Sequence, residues 1–202
     1  MGRDRNEALN SYVTDMLSLE DHIEKAIRGQ LTDLKDYPEV VTELRQIHRT
    51  IEHHISDLKK LKERRNAGGV AEKVKRAGSA VAGVAAGIID LVRTEGLPKN
   101  LRDDYTAFSL ATIGYVMLHT TALSLDDAEV AELAQQHFRD YAHATTRMHT
   151  IVPGAVVRSL QEQGLPARSE VLTQVGRTVE EGWNAQSDAV QRGESSVPSR
   201  PL

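Results

Sequence analysis

The stretch that decides the fold runs from Asp126 to Met148. It opens Asp126-Asp127-Ala128-Glu129 and carries Val130, Leu133, Ala134, Phe138, Tyr141 and Met148 at helical spacing. Apolar residues recurring at this period predict an amphipathic helix over 126–152. Ser124 or Asp126 can cap it, and the acids of its first turn suit the positive end of the helix dipole. Asp140-x-x-His143 sits in its second half, and a carboxylate and an imidazole three apart are roughly 5–6 Å from each other on one helix face. Carboxylate-x-x-His pairs on inward faces hold two metal ions in four-helix carboxylate bundles. The rest of the chain therefore matters for the ligands it brings from other helices.

The preceding helix, about 100–124, is apolar nearly all round from Ala107 to Leu123, with Phe108, Leu110, Ala111, Ile113, Tyr115, Val116, Met117, Leu118 and Ala122. Such a helix is buried on more than one side. Asp103 and Asp104 occupy its first turn, where negative charge is favoured. Between Asp104 and Asp126 there is no acid, and Tyr115 and His119 are the only ionisable groups of the apolar run.

Two helices come first in the chain. Over 6–31 the row Tyr12, Met16, Leu19, Ile23 and Ile27 is spaced 4-3-4-4. Glu20 follows Met16 by one turn and can point inward, whereas Glu24 reads as a solvated edge. Thr32 to Tyr37 is a turn, and Pro38 opens a helix over 37–65, a favoured place for proline. Its row is Val41, Leu44, Ile47, Ile51, Ile55 and Leu58, with His48 and Glu52-His53-His54 set among them. His48 and Glu52 are i,i+4 and share one side. Ligation and plain surface polarity both remain open for these histidines. Gln46-x-x-Arg49-x-x-x-His53 recurs as Gln136-x-x-Arg139-x-x-x-His143, which fits two related hairpins joined by a long crossover.

Asn66-Ala67-Gly68-Gly69 breaks the second helix. The following segment, 70–93, is basic at first (Lys73, Lys75, Arg76) and then runs Ser79 to Ile89 in Ala, Gly, Val and Ile. The apolar part is too short to span a bilayer. It reads as a crossover helix packed on the bundle. The other readings are a self-association face, since Gly83 and Gly87 would let helices approach closely, or a helix lying on a membrane surface. Pro153-Gly154 is expected to end or kink the fourth helix near Val152. A short segment follows to Gln163, Gly164-Leu165-Pro166 breaks it, and a last amphipathic helix over 169–190 carries Leu172, Val175, Val179 and Trp183. The Ser- and Pro-rich tail, 193–202, reads as disordered.

Composition narrows the class. With 202 residues the chain is one domain, 1–192, plus that tail. Net charge is −4, against a general nucleic-acid binder. There is no cysteine, so disulfides and thiolate metal sites are out, and a cytoplasmic location is expected. The charged N-terminus lacks the apolar core of a signal peptide. No Walker loop, HExxH or Gly-x-Ser-x-Gly occurs. The basic cluster Lys59, Lys60, Lys62, Arg64 and Arg65 complements the dipole at its helix end.

The segments Tyr12 to Ile23, Pro38 to Leu58 and Glu129 to Met148 together resemble the ferritin-like superfamily, in particular the stress-associated YciE/YciF-like bacterial bundles. The resemblance covers roughly 8–65 and 100–150. It implies that Glu20 is a metal ligand and that Asp140 stands where the family has a Glu. In the third helix, where the family has a Glu, this chain has Phe108, Ser109 and Ala111; the acidic pair of the second helix falls on Arg49 and Thr50. An intact di-iron site needs about four carboxylates and two histidines from four helices.

The expectation is therefore an all-α, ferritin-like four-helix bundle with a long crossover containing an extra Ala/Gly-rich helix, and an additional C-terminal helix. The expected role is a structural, interaction or stress-associated protein with an incomplete or rebuilt metal site, and enzymatic activity stays open. Its candidate ligands are Glu20, His48, Glu52, His53, Asp140 and His143, with His119 in reserve. Iron or zinc is the metal such donors would take. The alternatives are a working di-iron or zinc centre with oxidase or iron-handling activity, and a bundle docking on a membrane or partner through 70–93. A homodimer through 70–93 and 107–123 is expected, with no nucleic-acid partner.

Overall fold

The computed structural model describes residues 5–34, 36–67 and 96–194. They form five helices: α1 (Arg5–Asp33), α2 (Pro38–Ala67), α3 (Leu97–Ser124), α4 (Ala128–Glu162) and α5 (Val171–Glu194). No strand occurs among the described residues, and the fold is an all-α helical bundle. The crossover read at 70–93 and residues 195–202 lie outside the described residues; Gly193 and Glu194, read as the start of the tail, belong to the last helix.

Each of the first four helices buries one row in alternating steps of three and four, the spacing of a seam between helices. On α1 the row is Leu9, Val13, Met16, Glu20, Ile23, Ile27 and Gln30. On α2 it is Val40, Leu44, Ile47, Ile51, His54, Leu58 and Leu61. On α3 it is Leu101, Asp104, Phe108, Ala111, Tyr115, Leu118 and Ala122, and on α4 Val130, Ala134, His137, Tyr141, Ala144 and Met148. Most of each row is aliphatic and supplies the transfer free energy that holds the bundle. Five positions, Glu20, Gln30, His54, Asp104 and His137, are polar and buried.

Contacts between the rows fix the arrangement. Going up α1, Glu20 meets Tyr115 and Gln30 meets Asp104, so α1 and α3 are antiparallel. Glu24 meets His48 and Asn10 meets Arg65, so α1 and α2 are antiparallel. Glu43 meets Arg147 and Arg64 meets Glu129 across α2 and α4. His119 meets Ala131 and Tyr105 meets His149 across α3 and α4. The order around the bundle is α1–α2–α4–α3, with every neighbour antiparallel. Ala67 closes α2 beside the start of α1, while Gly96 precedes α3 beside the end of α1, so the two lie at opposite ends.

The lower end is tied by Arg65, whose guanidinium donates to Asn10 at 2.8 Å and to Asp127 at 2.7 Å. Asp127 also caps α4, its side chain accepting from the Val130 amide. Between α1 and α3 the backbones approach closely at Gly114, where a Cβ would stand 2.7 Å from Met16 Sδ.

Pro153 does not end the fourth helix, which runs on to Glu162. Proline removes one ladder bond, but Ala155 and Val157 in the next turn are buried and hold the helix in register. Among the described residues one helix, α3, is long and apolar enough to cross a membrane by length and composition. Its inner row is packed against α1 and α4, as in a core helix.

Candidate functional site

The polar positions of the four rows meet at mid-height. Glu20 on α1 is 0% exposed. Its Oε1 accepts from the Tyr115 hydroxyl of α3 at 2.5 Å, and its Oε2 from the Tyr141 hydroxyl of α4 at 2.5 Å. His54 Nδ1 on α2 stands 3.1 Å from Oε1, and His54 Nε2 stands 3.2 Å from Asp140 Oδ2. Carboxylate oxygens only accept, so both ring nitrogens of His54 donate and the ring is an imidazolium. Burial by itself would lower the His54 pKa; the bonds with Glu20 and Asp140 outweigh it and hold the pKa above its usual value.

Tyr115 has one hydroxyl proton, and it goes to Glu20. The Tyr115 oxygen therefore accepts from His137 Nδ1, 3.0 Å away. This fixes the His137 tautomer and leaves a lone pair on Nε2, which is 4.0 Å from Asp57 Oδ2. Burial, with the neighbouring His54 and His53, holds the His137 pKa down at about 2, so this ring is neutral. It stacks on the His54 ring with centroids 3.8 Å apart and planes at 18°. Burial, reinforced by Glu20, pushes Tyr115 and Tyr141 well above the usual phenol range. Both therefore stay donors.

Glu20, His54 and His137 form a buried group that can hold a metal ion, with one ligand atom from each lying within 4.8 Å of the others. Two imidazoles and a carboxylate are a donor set for zinc or a single iron. Coordination needs every ligand atom about 2.0–2.2 Å from one centre. In the present rotamers both oxygens of Glu20 and both nitrogens of His54 are engaged in hydrogen bonds, and the His54 and His137 rings lie nearly parallel at 18°. A single ion fits only after His54 gives up one N–H and the stack opens. For a pair of ions the acids are few: Glu20 is the one buried carboxylate among the described residues near this centre, with Asp140 and Asp57 at its rim, against about four in a di-iron bundle.

Of the residues singled out in the sequence, Glu20 is at the centre and Asp140 at its rim, with its side chain 34% exposed. Gln136 donates to both Asp140 oxygens at 3.1 Å. His48 and Glu52 belong to a second, half-buried group on the α1–α2 seam, where His48 Nε2 is 2.9 Å from Glu24 and Nδ1 is 3.6 Å from Glu52. His53 is turned to solvent beside Asp57, and His143 is exposed at the mouth of a cleft of about 270 Å³ whose lining includes His54 and Asp140. His119 binds the Ala131 carbonyl at 2.8 Å. The imidazoles at the centre are thus His54 instead of His53, and His137 instead of His143. Successive helical residues are about 100° apart, so one step along α2 carries an imidazole from solvent to core. The signal that finds the right ones is the alternating 3-4 spacing itself. Ile47, Ile51, His54, Leu58 and Val130, Ala134, His137, Tyr141 each complete a core row.

No family model matches the chain, and no curated protein does. The fold is similar to that of a protein from Xanthomonas campestris pv. campestris known from a crystal structure. That likeness has a TM-score of 0.64 at 18% identity and covers 80% of this chain and 100% of the other. At this identity it bears on the fold alone.

Proposed function

We propose that this chain is a structural or interaction bundle of the ferritin-like kind, in which a proton-shared core stands where a pair of metal ions would otherwise sit. The observation that carries this reading is the state of Glu20, whose two oxygens are taken by two phenols and an imidazolium. Its charge is balanced by donated protons, so no cation is needed to neutralise it. The apolar third helix contributes Tyr115 to this balance in place of an acid. A stress-associated role rests on the resemblance alone.

Elemental analysis of natively purified protein tests the reading. The expected result is metal far below one ion per chain. Stoichiometric iron or zinc that disappears in a His54→Ala/His137→Ala double variant would overturn it. A second reading, one zinc or iron ion on Glu20, His54 and His137, is favoured by the unprotonated Nε2 of His137, and predicts that outcome.

The interaction half of the proposal draws on the outer side of α3, where Ile113, Val116, Met117 and Leu123 are 54%, 38%, 48% and 58% exposed. An apolar row of this kind marks a contact surface, and it lies within the 107–123 face expected to pair two copies. Sedimentation of the intact chain should show a dimer that Met117→Glu dissociates. A wild-type monomer would remove the self-association part.

A further inference from the structure

Between α3, α4 and α5 lies a groove of about 960 Å³, open on one side. Pockets that take small molecules run to roughly 300–1,000 Å³. Small residues line both long walls, among them Ala142 and Gly154 on α4 and Gly176 on α5. Small residues between helices ordinarily let the backbones close up. Here they do not, since a Cβ added at Gly154 or Gly176 would meet nothing within 4 Å. The space is left open by the sequence on both walls, while the apolar row of α5 still faces it through Leu172 and Val179.

Three rings line the groove as a ladder. Tyr105 and His149 have centroids 5.3 Å apart, and His149 and Trp183 5.2 Å apart. Partial burial lowers the His149 pKa, which favours a neutral ring. Trp183 is 49% exposed, an unusual place for a large aromatic surface, and among the described residues His149 is the ring paired with it. Among the described residues Glu180 is the one acid in the lining, and no Lys or Arg is there. A phosphate or carboxylate would find no counter-charge in such a groove. A neutral ring would gain apolar burial and offset stacking, with threonine hydroxyls as its few polar handles.

We propose that this groove binds a small, neutral, planar aromatic molecule stacked against Trp183 and His149. Two probes with one ring system separate shape from charge: neutral N-phenyl-1-naphthylamine and its sulfonated relative 1-anilinonaphthalene-8-sulfonate. Trp183 is the single tryptophan of the chain, so energy transfer from it reports occupancy at this place. The full chain should bind the neutral probe saturably, near one per chain, and about tenfold or more tighter than the sulfonate. Gly176→Leu and Ala142→Leu should each weaken binding at least about tenfold, with unchanged circular dichroism, because each fills space that no atom occupies. Absence of saturable transfer, equal affinity for both probes, or binding indifferent to both filling variants overturns the proposal. So does a dimer that Gly176→Leu dissociates, since a second copy would then be the occupant.

Discussion

Replacing Glu20 by Gln keeps the volume and removes the one buried charge that the core row of α1 carries. The native carboxylate takes hydrogen bonds from Tyr115, Tyr141 and His54. A carboxamide offers one accepting oxygen and one donating nitrogen, so at least one tyrosine hydroxyl is left facing a donor. His54 also loses its fully buried counter-charge and keeps only Asp140, which is partly in solvent. A hydrogen bond to a charged group contributes about 1.5–3 kcal/mol, and stranding one partner of a buried pair costs about 3–5 kcal/mol. These effects share the same atoms and do not add, so a loss of about 3–5 kcal/mol is expected. Urea unfolding at pH 7, with an unchanged slope, measures it. A second arm reads pH. The folded-state pKa of His54 is raised above 6.5. Its contribution is therefore complete below the unfolded value and is lost as pH rises through the folded one. In Glu20→Gln that decline above pH 6.5 should shrink. A loss below about 0.5 kcal/mol, within the ordinary range of surface changes, or an unaltered decline, would refute the account of the core as a balanced proton network.

Asp104 titrates in the same sense, from a lower starting pH. Burial, aided by Asp103 and opposed by the Gln30 bond, raises its pKa from 3.8 to about 7. The folded chain holds that proton more tightly than the unfolded one, so stability should fall as pH rises from about 4 to about 7. Asp104→Asn can still accept from Gln30, and should flatten that part of the profile and stabilise the protein by a few kcal/mol above pH 7, read by thermal melts across pH. Gly114→Val should destabilise by about 1–3 kcal/mol through overpacking, since even a Cβ stands 2.7 Å from Met16 Sδ; unfolding in urea checks it. His53→Ala and His143→Ala, both exposed, should each stay within about 0.5 kcal/mol of the parent, whereas His54→Ala should not.

Much of the helical scaffold is legible along the chain, because the apolar period is local. Pro38 at the start of α2 and the acids at the start of α4 mark their helices without any tertiary information. The inward face is harder to read. Tyr12, Leu133 and Phe138 look like core positions by apolarity, yet they are only partly buried, because the true rows lie one step round and contain polar residues. Scoring by hydrophobicity discards Glu20, His54 and His137 from the rows they complete. Pro153 misleads for a related reason, since its local penalty is overruled by burial of Ala155 and Val157 beyond it.

By itself, the sequence determined that the chain is helical, that its third bundle helix carries no acid beyond Asp104, and that imidazoles cluster on the second and fourth helices. Only the tertiary structure decided which imidazole enters the core, since neighbouring residues on a helix diverge by about 100° and packing of four rows selects one of them. It also decided what balances Glu20. Tyrosines 95 and 121 residues away in the chain supply the protons, and no local pattern encodes so distant a hydrogen bond.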